Sequence, residues 1–484
     1  MLDRYIKTKS FTYIYSALLF AYAIFFIING WEGYSFYFTR IEVNDYMYMG
    51  IQGLVLIASV MLVVSSRLTD AMLPAMILAV LSTACYDSAD RFLSPGFLWV
   101  AIPAVSAFVF HFIGYRKSFK IGKSFWGLCA VSLAVTLGGI GHISASEYFS
   151  GTSLFYVFGL GIGMIIFYVL IKSQMGEDEK QNVARVMYIV GMLAAFSILW
   201  AYLLNWDVSI GVGRLLLLQF SNNISTLIMM AMPFVLFYPS RAKRYLDYSA
   251  FAFMYAALVF SSSTGGLLFG TIEVLILLAV DCFVCRKGKS AIVQRAVFLG
   301  GMAVFFVLVW YFLPDLMCLM RWGKSTESSR IAIVKDLLIA FFESGESRFR
   351  LLDRMVRDFT SNPLFGVGLG YKGNVDLYNP VKGAMSWYHM WIPQIVGSLG
   401  LVGIAAYGYQ LVARVRIYLK NPGSVNRMFF LCYVGLLLMS QVNPGEFCPV
   451  PYGMLAVTCF ALIERPEDDI LLADKFKRGK AALE

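Results

Sequence analysis

The chain alternates long apolar runs with short polar segments, and the length of the runs is its most telling feature. Runs able to span roughly 30 Å at about 1.5 Å per residue start near Phe11, Met47, Ala71, Gly96, Ser124, Ser153 and Val186. Others start near Asn223, Ser249, Gly266, Ala296, Ile392, Met428 and Pro451. The pattern predicts an all-α polytopic membrane protein of about 12–14 transmembrane helices. One stretch, residues 314–391, is long, charged and rich in glycine. Inside it, residues 331–342 have helical apolar spacing, and Phe349 to Phe359 puts Leu351, Leu352, Met355 and Phe359 on one face. Both read as amphipathic helices lying on or beside a bilayer. Asn362-Pro363 should end the second, because a residue before proline avoids the helical region. Gly366, Gly368, Gly370 and Gly373 then allow a tight loop with exposed backbone amides.

Composition agrees with lipid as the solvent. Apolar residues make up 59% of the 484 and charged ones 14%, more apolar surface than one soluble core can hide. The simplest organisation is a single polytopic domain over 1–484, with the extracytoplasmic loop 314–391 inside it and a cytoplasmic tail at 464–484. The first run follows Arg4, Lys7 and Lys9 but is long enough to span, with no small-residue cleavage site after it. The formal charge of +10 does not signal nucleic acid. Basic residues cluster in short connections: Arg116, Lys117, Lys120, Lys123; Arg241, Lys243, Arg244; Arg286, Lys287, Lys289; and Arg414, Arg416, Lys420. This is a positive-inside distribution that faces anionic membrane lipids. It places both termini in the cytoplasm and segments 31–46, 87–95, 142–152, 205–220 and 443–450 outside. The eight cysteines are scattered through apolar runs, and Cys282-x-x-Cys285 has no second pair to complete a zinc site. Cys318 and Cys448 could both face outside, but nothing in the sequence fixes their separation.

Candidate chemistry gathers in the long loop. Of three histidines, His111 reads as packed or interfacial and His142 as a helix end, while His389 sits where the basic loop meets the next helix. An imidazole there can accept a proton from a hydroxyl near neutral pH. Arg214, in Gly211-Val212-Gly213-Arg214, is the one basic residue of its outer loop, close to Asn222 and Asn223. It either snorkels to the interface or offers a planar guanidinium to phosphate oxygens. In the run Arg348, Arg350, Arg354, Arg357, the last two read as a solvated face. Gly366-Val367-Gly368-Leu369-Gly370 lacks the strand-then-helix setting of a phosphate loop.

Taken together, Arg348, Asn362-Pro363-Leu364-Phe365-Gly366-Val367-Gly368, His389, Gln394 and Gly400-Leu401-Val402-Gly403 resemble the O-antigen ligase and polymerase superfamily. Gly213-Arg214 with Asn222-Asn223 is similar to the first arginine motif of that family, so the resemblance covers Arg214 to Gly403. It implies a GT-C-like membrane glycosyltransferase needing no metal or other cofactor, in the bacterial inner membrane. Its partners would be an undecaprenyl-diphosphate-linked glycan, an acceptor glycan or lipid, and polysaccharide export or flippase proteins. By the same resemblance Arg214 and Arg348 would hold the diphosphate and His389 would act as base. Arg350, Asn222, Gly366, Gly368 and Gln394 would bind substrate around them. Two positions depart from the family pattern: Met390 stands where asparagine usually follows the histidine, and Ser263-Thr264-Gly265-Gly266 carries no arginine.

Overall fold

The computed structural model describes residues 119–145, 156–174, 177–204, 221–238, 244–261, 263–285, 289–312, 314, 331–332, 346–369, 388, 390–442, 445–447 and 452–471. The apolar runs near Phe11, Met47, Ala71 and Gly96 lie outside these, as do Arg214, His111 and His389. The described part is mainly helical. In order come α1 (Ser124–Leu137), a π-helical turn Val157–Gly163 leading into α2 (Met164–Gln174), and α3 (Glu177–Leu204). Next are α4 (Ser221–Phe237), α5 (Arg244–Phe260), α6 (Thr264–Val280) with a π-helical turn Asp281–Cys285, and α7 (Lys289–Tyr311). Last come α8 (Glu346–Ser361), α9 (Trp391–Lys420), α10 (Ser424–Met439) and α11 (Met454–Ile463).

Every apolar run read from Ser124 onward therefore appears as a helix. Two helices, Gly265–Cys285 and Trp391–Lys420, are long and apolar enough to cross a membrane, and the other apolar helical stretches among the described residues run to 10–17 residues. One basic cluster is placed differently from its expectation as a connection. Arg414 and Arg416 lie within α9, and Arg414 is buried. An arginine with partners inside the protein does not need the interface, so a local count of basic residues misplaces it.

The core centres on α4, whose residues Ile224 to Leu236, Pro233 among them, are all buried. α10 runs along one side of it, where Phe234 meets Phe429 edge-on at 5.1 Å, and α3, α5 and α6 complete the surround. A second apolar cluster joins α1 to α9 and takes in Leu369 from the loop after α8 along with Leu399, Tyr407 and Phe447. Burying such side chains contributes about 1.5–3 kcal/mol each where water is the alternative solvent.

The bundle has two distinct ends. At the tail end, β1 (Lys120–Ile121) pairs antiparallel with β2 (Ile470–Leu471), so Lys120 faces Leu471 and Ile121 faces Ile470. Glu464 gathers that end together. Its carboxylate accepts from the Ser124 amide at 2.5 Å and the Tyr168 hydroxyl at 2.6 Å. Lys172 lies 3.4 Å from Glu464 and 2.8 Å from Asp469. At the loop end are the turn 138–143, the segment 362–369, Tyr388, and the last turn of α10.

Candidate functional site

The loop end is built on a break in α9. Gly400 has φ 60° and ψ −152°, a conformation that only glycine adopts without strain, and it divides α9 into nine residues before it and twenty after it. In a continuous helix the amides of Leu401 and Val402 would donate to the carbonyls of Gly397 and Ser398, four residues back. Here they donate instead to Pro363 at 2.9 Å and Leu364 at 3.1 Å. The two released carbonyls accept from Val367 at 3.0 Å and Gly368 at 2.8 Å. Two helical bonds are thus exchanged for four bonds to the loop, leaving none of these groups orphaned. A Cβ on Gly400 would lie 2.5 Å from the Pro363 oxygen, and one on Gly366 would meet the backbone of Gly397 to Leu399. The motif Asn362–Gly368 and the motif Gly400–Gly403, read separately in the sequence, form one structural unit.

That unit assigns Gly366 and Gly368 a specific task. The Gly366 amide donates to the Asn362 carbonyl at 2.8 Å, and Val367 and Gly368 donate into the helix break. These amides close the α8–α9 junction and do not form an exposed phosphate cradle. Asn362 ties the same junction to the α1 end by donating to the Ile140 carbonyl at 2.7 Å, and the Gly139 amide donates to Phe365 at 3.0 Å.

Arg348 and Arg350 lie on α8, the helix packed against α9, and their side chains are outside the described residues. About one turn beyond Arg350, Arg354 is only 6% exposed and lies 3.3 Å from Asp358, four residues later. The expectation of a solvated face therefore fails for Arg354, while Arg357 beside it is exposed as expected. The cause is Tyr388, which covers the pair. Its hydroxyl donates to Asp358, and the Arg354 guanidinium stands 5.8 Å from the centre of its ring. Burial, and then the neighbouring Asp358 carboxylate, push the Tyr388 hydroxyl well above the usual tyrosine range, so it remains a donor.

Gln394 holds the same residue from the α9 side. It is 1% exposed, its Oε1 accepts from the Tyr388 amide at 3.0 Å, and its Nε2 donates to Ser398 Oγ at 2.9 Å. Both ends of its amide are thus engaged within the protein. Asn222, near the start of α4, accepts from Ser263 Oγ at 2.5 Å, and Ser263 caps α6 by accepting from the Gly266 amide at 2.8 Å. Asn222 and the Ser263–Gly266 stretch, far apart in sequence, meet here. Gly265 of that stretch faces Met439 and Val442 at the loop end of α10, and the Ser440 carbonyl accepts from the Trp391 amide at 2.8 Å. The last turn of α10 therefore touches both groups.

Sequence reasoning missed Asp358, Tyr388 and the burial of Arg354. The Arg354–Asp358 spacing of four was a usable signal for a helical ion pair. The tyrosine across from it was not legible, because it depends on a contact between distant segments.

Charge is also buried within the helices. Arg414 of α9 pairs with Glu446, which lies on the short helical turn Gly445–Phe447, and donates to the Tyr433 hydroxyl at 2.7 Å. Its guanidinium stacks over Tyr433 at 4.6 Å and Phe460 at 5.1 Å. Glu273, in the middle of α6, is 1% exposed, and neither of its carboxyl oxygens has a hydrogen-bond partner among the described residues. Among those residues no three His, Cys, Asp or Glu side chains come together as a metal ion would require.

No protein-family model matches the chain, and no curated protein matches it either.

Proposed function

We propose that the protein is a multi-pass glycosyltransferase of the bacterial inner membrane, with both termini cytoplasmic. It would transfer or polymerise undecaprenyl-diphosphate-linked glycans on the outer face. The observation that carries this reading is the junction of α8 with α9. It fastens the helix bearing Arg348 and Arg350 to the chain on both sides of position 389, through Asp358–Tyr388 and through the exchange at Gly400. Arginines on α8 would neutralise the diphosphate as it leaves, and His389 would take the proton from the acceptor hydroxyl. Such electrostatic help is worth about 10²–10³-fold per donor and a positioned base about 10²–10⁴-fold. Support for the topology comes from the two ends. Lys120, Lys123, Lys420 and Arg465 meet at the tail end, where a cytoplasmic face would collect them.

The test uses purified protein, a short undecaprenyl-diphosphate oligosaccharide and a chelator. Release of carrier diphosphate with lengthening of the glycan is expected, falling at least a hundredfold in Arg348→Ala and His389→Ala. Full product from a normally folded His389→Ala protein overturns the assignment of the base.

A second reading, a transporter or flippase of lipid-linked glycans, draws on the buried pair Arg414–Glu446. Ion pairs inside membrane helices mark transport pathways in many proteins. The break at Gly400 does not add to it, since the backbone groups it frees are bonded to the 363–368 segment. Carrier-linked glycan moving across a sealed vesicle with no release of diphosphate would select this reading.

A further inference from the structure

Tyr388, next to a proposed catalytic position, is held at its amide, its hydroxyl and its ring. Its amide is bound to Gln394, its hydroxyl to Asp358, and its ring lies on Gly397, where a Cβ would come within 2.6 Å of the ring carbon and the hydroxyl. On the far side of position 389, Met390 is the residue before the first turn of α9, its carbonyl accepts from the Gln394 amide at 3.0 Å, and the next amide, of Trp391, is bound to Ser440. The chain therefore enters and leaves position 389 at fixed points, with consecutive Cα atoms only about 3.8 Å apart. From α8, Asp358 reaches this bracket at the Tyr388 hydroxyl, while Arg354, one turn earlier, holds Asp358 and stands over the Tyr388 ring.

We propose that Asp358, held by Arg354, is a positioning residue that sets the placement of His389 through its grip on Tyr388. The proposal rests on the reading of His389 as the base. It departs from that reading in making α8 serve two purposes, bearing the arginines for the donor and fixing the group that acts on the acceptor. Because both come from one rigid helix, the distance between donor site and base is set by the geometry of α8. A misplacement of about 1 Å in such an arrangement can cost 10²-fold in rate.

Two measurements on the purified full-length protein test it. Tyr388→Phe removes only the hydroxyl and leaves the ring on Gly397, and Asp358→Asn keeps the shape of the carboxyl. Both are expected to lower kcat at least tenfold with KM for the carrier glycan within about twofold, and to shift the acid limb of the pH profile. Arg354→Lys, which keeps a cation beside Asp358, should retain more activity than Arg354→Ala. The second measurement needs no turnover. The rate at which diethyl pyrocarbonate modifies His389, followed by peptide mass spectrometry across pH, should change severalfold in Tyr388→Phe and Asp358→Asn while that of His142 does not. Unchanged modification of His389 in folded variants overturns the positioning role whatever the activity. A fully active His389→Ala protein would instead remove the base assignment, and the modification rates would still decide whether the grip exists.

Discussion

At the loop end, four backbone hydrogen bonds join the 363–368 segment to the break at Gly400, and glycines make the close approach possible. At the tail end side chains add to the β1–β2 pairing, with Glu464 accepting from Ser124 and Tyr168 and Lys172 lying between Glu464 and Asp469. The first arrangement fixes position without adding a charge, so its geometry does not respond to pH or salt. The second relies on buried charged side chains, each of which needs its partner. Under the proposed function, the rigid fastening would lie beside the chemistry.

The largest effect that would break this contrast is at Gly400. Gly400→Ala puts a side chain into a backbone conformation that costs about 1–3 kcal/mol by itself, and drives the new methyl into the Pro363 carbonyl. Loss of the folded protein is expected, read as disappearance of the monodisperse peak on detergent size exclusion. A normal peak would mean that the loop can detach from the break. Glu464→Gln should be milder. It keeps one acceptor oxygen but leaves Lys172 with Asp469 and the Ala461 carbonyl, a loss of about 1–3 kcal/mol and a drop of a few degrees in melting temperature. The smallest effect belongs to Lys123, whose partner Asp468 is open to water. The hydrogen bond from Lys123 lowers the Asp468 carboxyl below its ordinary range. Any stability it adds is therefore present above the unfolded aspartate range and disappears as pH falls through the folded value. Water screens the pair, so Lys123→Ala should leave the melting curve unchanged at low and high salt.

Helix positions from Ser124 onward were legible because apolar runs of this length leave few alternatives, and the end of α8 before Asn362-Pro363 followed from the restriction that proline imposes. The chemistry of the loop was legible only as separate motifs. Nothing in the order of residues says that Pro363 and Leu364 will supply the acceptors that Leu401 and Val402 lose at Gly400. Such an exchange requires the folded pair. Arg354 shows the same limit. Helical periodicity assigns it to a polar face, and it is buried because Tyr388, thirty-four residues later, lies over it. Arg414 was grouped with its basic neighbours, although its acid is thirty-two positions away in a different segment.

That last separation has a consequence for how the chain is made. Arg414 emerges from the ribosome before Glu446, and at about 5–20 residues per second the 32 residues between them take about 2–6 s to synthesise. For that interval α9 carries a cation with no acid to receive it, and the Tyr433 hydroxyl, nineteen residues on, arrives first. The buried pair on α9 cannot be completed until the turn Gly445–Phe447 has been made. Final packing of α9 is thereby tied to the synthesis of a segment beyond α10, and a ribosome stalled between the two would leave Arg414 without its acid.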